Sequence, residues 1–233
     1  MKKRYTLLLI LIILGSFISI YALKSNDVSL TYADKWLLTE SQYLNKPLLN
    51  NGPNIAGRYF RATDFFEIIN TPNYQRPSKG RKAYDNVNSP IWESTPTSKS
   101  GFFVLTPNND GSDAGSKYSY NIIAGYLENS EYQDVTFKAT SNSPYELFLD
   151  GEKIISYSDF CKVENNTKDK KMNLERGKHD ILVKTLYKKR DDCSWEFKLE
   201  FGCEDINTLL WSLDPSKEMD LNTVMHGVRS TGV

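Results

Sequence analysis

The chain has 233 residues, which is enough for one large or two small domains with a real hydrophobic core. Its 29 lysines and arginines balance 29 aspartates and glutamates, so it lacks the basic excess on which nucleic-acid binding depends. Aromatic residues make up 12% of the chain, which is typical of half-buried strands rather than of a helical bundle.

The first 22 residues predict a targeting segment. Three basic residues, Lys2, Lys3 and Arg4, precede an apolar run that ends near Ala22. This pattern fits a cleaved signal peptide, or an uncleaved anchor through residues 5–22. We therefore expect an exported protein, periplasmic or at the cell surface, that meets the membrane only through this segment.

The next part of the chain predicts few regular elements. Residues 25–38 contain "VSLTYADKWLL", which predicts a first strand with Trp36 as a core residue. The segment "FFEII" predicts one short helix, with Thr63 or Asp64 as its N-cap. Residues 71–100 are rich in Pro, Asn, Ser, Arg and Lys, which predicts a long irregular surface excursion.

Strand signals dominate from Gly101 onward. Alternating apolar segments such as "QDVTFKATS" and "SWEFKLEFG" are separated by turn residues about every ten positions. Asp150-Gly151 predicts a two-residue type I′ hairpin turn, and Arg176-Gly177 predicts another turn. We predict a mostly β fold: an antiparallel β-sandwich of the jelly-roll, galactose-binding or PA14-like kind, with one short helix and long loops. The sandwich would span residues 23–205, and residues 206–233 would be a C-terminal connector that leads out of the domain.

Three cysteines follow the targeting segment. If Cys193 and Cys203 end one extended strand, they lie too far apart to pair with each other. Cys161 with Cys193 is then the more natural disulfide, although three unpaired cysteines fit the sequence as well. An odd number leaves at least one free thiol.

Candidate binding residues are sparse. Asp110, Ser112 and Asp113 lie in an oxygen-rich turn that weakly resembles a calcium loop but lacks its spacing and terminal Glu. Trp92 and Trp211 are the candidates for an exposed sugar-stacking platform, the alternative being that they plug loops. Trp36 and Trp195 are expected in the core.

No catalytic pattern stands out. The chain has no G-x-S-x-G window, and its two histidines are His179, expected at the surface or a strand edge, and His226 near the end of the chain. We expect no catalytic residue, no metal and no cofactor.

Several segments together resemble the N-terminal domain of secreted prolyl-oligopeptidase-like (S9) serine peptidases of the Bacteroidetes type. The resemblance rests on "SPYELFLDGEKI", "LERGKHDILVK" and the final "TVMHGVRSTGV", and it covers roughly Trp36 to Val233. In that family a β-sandwich precedes a β-propeller and a peptidase domain, whose catalytic motifs this chain does not contain. The resemblance implies a non-catalytic accessory domain at the cell envelope. Its partners would be a propeller or peptidase module, an envelope protein, or a glycan or peptide ligand.

Two alternatives to the accessory domain remain open from the sequence: a stand-alone carbohydrate-binding module, and a small envelope enzyme with an unrecognised site.

Overall fold

A computed structural model describes residues 28–43, 62–68, 76–84, 89–107, 118–161, 166–188 and 193–216. Within these ranges the chain forms two antiparallel β-sheets and one short helix, α1 (Ala62–Ile68). The predicted mostly β, antiparallel sandwich is therefore confirmed. The strands, in chain order, are β1 (Ser29–Tyr32), β2 (Lys35–Leu38), β3 (Gln42–Tyr43), β4 (Glu93–Pro96), β5 (Phe103–Val104), β6 (Tyr118–Asn129), β7 (Gln133–Ser141), β8 (Tyr145–Leu149), β9 (Glu152–Tyr157), β10 (Thr167–Leu174), β11 (Gly177–Lys188), β12 (Glu196–Cys203) and β13 (Leu209–Ser212).

The strands divide into a five-stranded and an eight-stranded sheet. The smaller sheet has the order β1-β12-β7-β10, with β5 also paired to β12. The larger sheet has the order β4-β2-β6-β11-β8-β9, with β3 and β13 also paired to β6. Every pairing is antiparallel, as short turns between successive strands allow.

The main core lies between the two sheets. Alternate residues of β7 and β12 point inward, so Phe137, Phe197 and Phe201 are almost fully buried there. Trp36 and Trp195, at 0% and 1% exposure, join the same cluster, which confirms their predicted place in the core.

A second hydrophobic cluster covers the outer face of the eight-stranded sheet. Phe65 and Phe66 of α1, together with Trp92, pack over outward residues of β6 such as Ile122 and Tyr126. Strand β6 is therefore buried on both faces, which explains why its central residues 122–127 form a continuous apolar run instead of alternating.

The predicted irregular excursion over residues 71–100 needs correction. Its described parts are anchored to the sheet: Lys82 bridges Ile91, the Trp92 N–H donates to the Arg81 carbonyl at 2.9 Å, and β4 pairs with β2. Ala83 and Trp92 are buried. The segment needs few apolar residues because two of them, Ala83 and Trp92, pack on the apolar outer face of the eight-stranded sheet.

Helix α1 confirms the predicted short helix but not its predicted cap. Thr63 and Asp64 lie inside the first turn of Ala62–Ile68, so neither precedes the helix as an N-cap would. Asp64 is instead an acidic residue in the first turn, where the helix dipole favours negative charge.

The predicted first strand is two strands in different sheets. The chain leaves the smaller sheet after β1 and enters the larger sheet at β2. At the crossing, the Ala33 N–H donates to the Leu199 carbonyl at 3.0 Å, and the Asp34 carbonyl accepts from the Thr97 N–H at 2.9 Å. Residues on both sides of this step therefore help to close one end of the core.

Both predicted glycine turns are present. Asp150 and Gly151 have φ of 49° and 84°, and Leu149 pairs with Glu152, as a two-residue type I′ hairpin requires. Gly177, with φ of 141°, begins β11 directly after β10. Because β10 and β11 belong to different sheets, this second turn carries the chain across the sandwich instead of forming a hairpin.

The sandwich extends into the segment predicted as a connector. A 3₁₀ turn at Ile206–Thr208 leads into β13, which pairs with β6 through Leu209↔Asn129 and Trp211↔Leu127. Residues 209–212 are thus part of the larger sheet, while residues 217–233 lie outside the described ranges.

Among the described residues, no helix combines the length and the apolar character that crossing a membrane requires. The predicted targeting segment, residues 1–22, lies outside the described part of the chain.

Candidate functional site: the open face of the five-stranded sheet

The structure does not place the two candidate tryptophans on a common exposed platform. Trp92 is 1% exposed and belongs to the cluster over the eight-stranded sheet, so its ring offers no face to a ligand. Trp211 is half-buried, lies 4.8 Å from the Trp36 ring centroid, and donates from Nε1 to the Lys35 carbonyl at 2.7 Å. The exposed-platform interpretation of this pair is therefore corrected: both rings pack against the sandwich.

The outer face of the five-stranded sheet is an accessible surface, which we call the open face. Its side chains point away from the main core and are half-buried or exposed, in contrast to the buried outward residues of β6. It consists of the outward side chains of β1, β12, β7 and β10: Leu30, Tyr32, Glu196, Lys198, Glu200, Asp134, Thr136, Lys138, Thr140, Thr167, Asp169, Lys171 and Asn173.

One row of this face crosses all four strands. The register pairs Tyr32 with Glu200, Glu200 with Lys138, and Lys138 with Asp169. Directly paired residues point to the same side of a sheet, so a phenol, a carboxylate, an ammonium and a second carboxylate stand in line. Neighbouring strands lie about 4.8 Å apart, and the row therefore spans roughly 14 Å.

Ion pairs tie this row to its neighbours. Lys198 Nζ lies 2.9 Å from Glu200 Oε1, and Lys138 Nζ lies 3.8 Å from Glu200 Oε2. In the adjacent row, the hydroxyls of Thr140 and Thr167 share a hydrogen bond of 2.9 Å. The open face is thus an ordered array of donors and acceptors.

An aromatic corner closes the β1 end of the row. Gly101 has φ of +80°, and a Cβ there would lie 2.8 Å from Cγ of Tyr32 and 3.1 Å from Cε of Lys198. The missing side chain allows the tyrosine ring to lie on the chain at this point. Lys198 also places Nζ 5.7 Å from the Phe102 ring centroid, a cation–π contact.

The sequence holds only a weak signal for this corner. Ser98 and Gly101 close a tight turn, in which the Gly101 N–H donates to the Ser98 carbonyl at 2.9 Å. A Ser-x-x-Gly turn before an aromatic pair is visible in the sequence, but its contact with Tyr32 joins residues almost seventy positions apart.

His179 is buried near the start of β11, although the sequence predicts a position at the surface or at a strand edge. Its Nδ1 lies 2.7 Å from Asp150 Oδ2, and its Nε2 lies 2.9 Å from the Glu175 carbonyl oxygen. Burial alone would lower the pKa of His179, but these two acceptors and the nearby carboxylates outweigh it and raise the pKa. With both ring nitrogens bonded to acceptors, the imidazole ties two turns together and has no free nitrogen to act as a general base.

Asp150 is held by a second contact in the same cluster. Its Oδ1 accepts from the Asp180 N–H at 2.7 Å, and Asp180 itself pairs with Arg76 at 3.2 Å. Burial alone would raise the pKa of Asp150, but the bonds to His179 and Asp180 lower it. The reverse holds for Asp180, because burial raises the pKa of its carboxyl despite Arg76.

The cysteines are structural in this arrangement. A disulfide joins Cys161 to Cys193, with the two Cα atoms 5.7 Å apart, and links the chain after β9 to the chain before β12. Cys203 is free and buried, and its thiol donates to the Asp205 carbonyl at 3.0 Å. Burial raises the pKa of this thiol, the opposite of what a nucleophilic cysteine requires.

In the parts of the chain that the structure describes, no group of three or more His, Cys, Asp and Glu residues could hold a metal ion. The weak calcium candidates Asp110, Ser112 and Asp113 lie outside those parts.

No protein-family model and no curated protein sequence matches this chain. Among solved structures it is similar to the PA14 domain of the MpAFP antifreeze protein, with 16% identity and a TM-score of 0.40, over 80% of this chain and 89% of that one. It is also similar to a PA14 sugar-binding domain from an RTX adhesin, with 13% identity and a TM-score of 0.37, over 74% and 92%. A β-glucosidase from Kluyveromyces marxianus, solved with glucose, gives 12% identity and a TM-score of 0.36, and the match spans 64% of this chain but only 17% of the enzyme. Similarity at this level carries no functional conclusion.

Proposed function

We propose that this chain is a non-catalytic binding domain whose ligand lies on the open face. One observation carries the proposal: the outer faces of the two sheets differ in how far other parts of the chain cover them. The outer face of the central strands β6 and β11 of the eight-stranded sheet is covered by α1 and the segment around Trp92, while the five-stranded sheet presents an ordered polar surface with an aromatic corner. An exposed aromatic ring beside ordered hydrogen-bonding groups suits a binding site, because aromatic residues are enriched where proteins bind their partners.

Two described side chains of types common in catalysis, His179 and Cys203, are committed to structural contacts. His179 bonds acceptors through both nitrogens, and the Cys203 thiol is buried with a raised pKa. A serine or cysteine nucleophile needs a base with a free nitrogen within hydrogen-bond distance. These features support a binding role over an enzymatic one.

The proposed setting is the cell envelope. The basic and apolar segment before Ala22 predicts export, and a disulfide between Cys161 and Cys193 suits an oxidising compartment. Together with the resemblance to the N-terminal domain of S9 peptidases, this favours an accessory domain that holds a ligand or partner near an envelope enzyme. A stand-alone carbohydrate-binding module is the second candidate, favoured by the Tyr32 corner.

The proposal is tested by screening the purified chain, without its first 22 residues, against glycan and peptide arrays. We expect binding that disappears in a Tyr32→Ala/Glu200→Ala variant and persists in Tyr132→Ala, since Tyr132 is 68% exposed in the β6–β7 turn and not part of the open face. Binding that ignores the open-face changes would refute the proposed surface. Cleavage of proline-containing peptides that a serine-directed inhibitor blocks would refute the non-catalytic role.

A further inference from the structure

The charges of the open face nearly cancel within the face itself, with one carboxylate in excess. Its outward side chains include three lysines and four carboxylates: Lys138, Lys171, Lys198, Asp134, Asp169, Glu196 and Glu200. Each of these lysines lies within an ion pair, because Lys171 Nζ is 2.8 Å from Asp134 Oδ2 and the other two meet Glu200. A face of this kind produces no strong field, and it gives no advantage to a polyanion or a polycation.

The ion pairs nevertheless keep hydrogen-bonding capacity. Lys138 has three donor hydrogens, and Glu200 and Asp169 offer several lone pairs each. A hydroxyl group both donates and accepts, so it can bond either member of an ion pair without bringing net charge. Bonds of hydroxyls to such charged groups are stronger than bonds between neutral groups.

The Tyr32 corner supplies an apolar surface at the end of the polar row. The ring lies on Gly101, its hydroxyl is 3.5 Å from the Lys99 carbonyl oxygen, and 36% of the residue remains exposed. A ring held in this way loses little conformational freedom when a ligand packs on it. The apolar face of a sugar ring fits an aromatic ring, and its rim of hydroxyls fits the row beside it.

An extended peptide fits this surface less well. Peptides that add to sheets do so along an unpaired strand edge, through main-chain hydrogen bonds, and not across the side chains of a face. At the β10 edge, Lys168 and Lys170 stand on the core-facing side of the strand and are exposed, a device that discourages strand addition.

We propose that the ligand of the open face is an uncharged oligosaccharide that crosses the strands along the Tyr32–Glu200–Lys138–Asp169 row. One sugar ring packs on Tyr32, and the hydroxyls of the following units bond Glu200, Lys138 and Asp169. This inference rests on the proposed binding role of the open face and specifies the chemical class of its ligand.

The test uses affinity electrophoresis and calorimetry of the chain without its first 22 residues. The probes are three neutral polysaccharides, laminarin, xylan and galactomannan, and two anionic ones, alginate and polygalacturonate. We expect one neutral polymer to bind with a Kd that changes less than about twofold between 50 and 500 mM NaCl, because exposed charge attraction would be screened over this range.

Substitutions of Tyr32 test whether the ligand binds at the aromatic corner. Tyr32→Ala should weaken binding about tenfold, the equivalent of one aromatic contact, while Tyr32→Phe should keep most of the affinity. Tyr132→Ala should bind like the wild type. Thermal unfolding of each variant shows whether the fold is intact, and the Tyr32→Phe comparison separates loss of the ring from loss of the hydroxyl.

The opposing outcomes separate the two proposals. Preferential binding of alginate or polygalacturonate that falls with salt, or binding of none of the neutral polymers, overturns the uncharged-glycan inference. If a peptide or protein ligand from the array screen still needs Tyr32 and Glu200, the binding role of the open face survives that failure. If no ligand found in either experiment depends on open-face residues, both the binding role of the open face and the uncharged-glycan inference are wrong.

Discussion

At the scale of single residues, His179 predicts a pH-dependent stability. Its pKa is raised in the fold, so the stabilisation that the imidazolium provides is complete below its ordinary pKa of about 6.5 and is lost as pH rises through the higher folded value. Asp150, with a lowered pKa, stays ionised throughout this range. We expect the free energy of unfolding to fall by about 1 kcal/mol between pH 6 and pH 8.5, the scale of one charged hydrogen bond to a half-exposed partner.

Urea unfolding at several pH values measures this effect. The drop should shrink in His179→Gln, which carries no titrating group, and should persist in His226→Gln, which removes the chain's other histidine. An unchanged pH profile in His179→Gln would show that the bond to Asp150 does not depend on protonation.

Gly125 predicts a steric limit in the middle of β6. A Cβ at this position would overlap the Trp211 ring, which packs against the strand here. We expect Gly125→Ala to destabilise the fold by about 1–3 kcal/mol, the usual cost of overpacking. In a Trp211→Leu background, where the smaller side chain leaves room, the same change should cost clearly less, and denaturant unfolding of the four proteins measures the coupling. Equal costs in both backgrounds would mean that β13 moves aside freely.

At the scale of elements, the disulfide predicts a large contribution to stability. Cys161 and Cys193 are 32 positions apart, and closing a loop of that length restricts the unfolded chain by roughly 3–4 kcal/mol. We expect the oxidised, denatured protein to show one reactive thiol, from Cys203, and the reduced protein three. Reduction should lower the midpoint of thermal unfolding, and it should have no effect on a Cys161→Ser/Cys193→Ser variant. Three reactive thiols in the oxidised, denatured protein would contradict the pairing.

Elements with a local signal could be predicted from the sequence, and elements defined by distant contacts could not. The alternation in β7 and β12 and the positive-φ turn at Asp150-Gly151 are encoded within a few residues, so their structure follows from the sequence. The break between β1 and β2 has no glycine or proline to mark it. It becomes visible only through the bonds of Ala33 and Asp34 to residues far along the chain.

The same distinction between local signals and distant contacts explains why the candidate site could not be predicted from the sequence. Tryptophan is a sound marker of sugar binding when it is exposed, but the sequence does not show that Trp92 is buried in the cluster over the eight-stranded sheet or that Trp211 lies against Gly125. The open face follows from register: Tyr32, Glu200, Lys138 and Asp169 meet only because four strands distant in sequence align. Likewise, His179 is buried because a hairpin turn 29 positions earlier supplies its carboxylate.

At the scale of the whole molecule, the two sheets should differ in local stability. Strands β6 and β11 have hydrogen-bonded neighbours on both sides, and both faces of β6 are buried. In the smaller sheet, β1 is exposed throughout; among the described strands β10 pairs with β7 alone, and no described helix or strand packs over the open face. Opening this sheet exposes less apolar surface, so it costs less free energy.

Hydrogen exchange followed by mass spectrometry tests that difference. We expect the slowest amides within residues 122–127 and 181–186, and the fastest strand amides in β1 and β10. A binding face on the more easily opened sheet has a consequence for ligands: one that bridges the four strands must slow exchange in β1 and β10 more than in β6. If a neutral polysaccharide slows exchange in β6 and β11 alone, the ligand lies on the eight-stranded sheet. That result would contradict binding at the open face. Equal exchange in all strands of the free protein would mean that the sandwich opens only as a single cooperative unit.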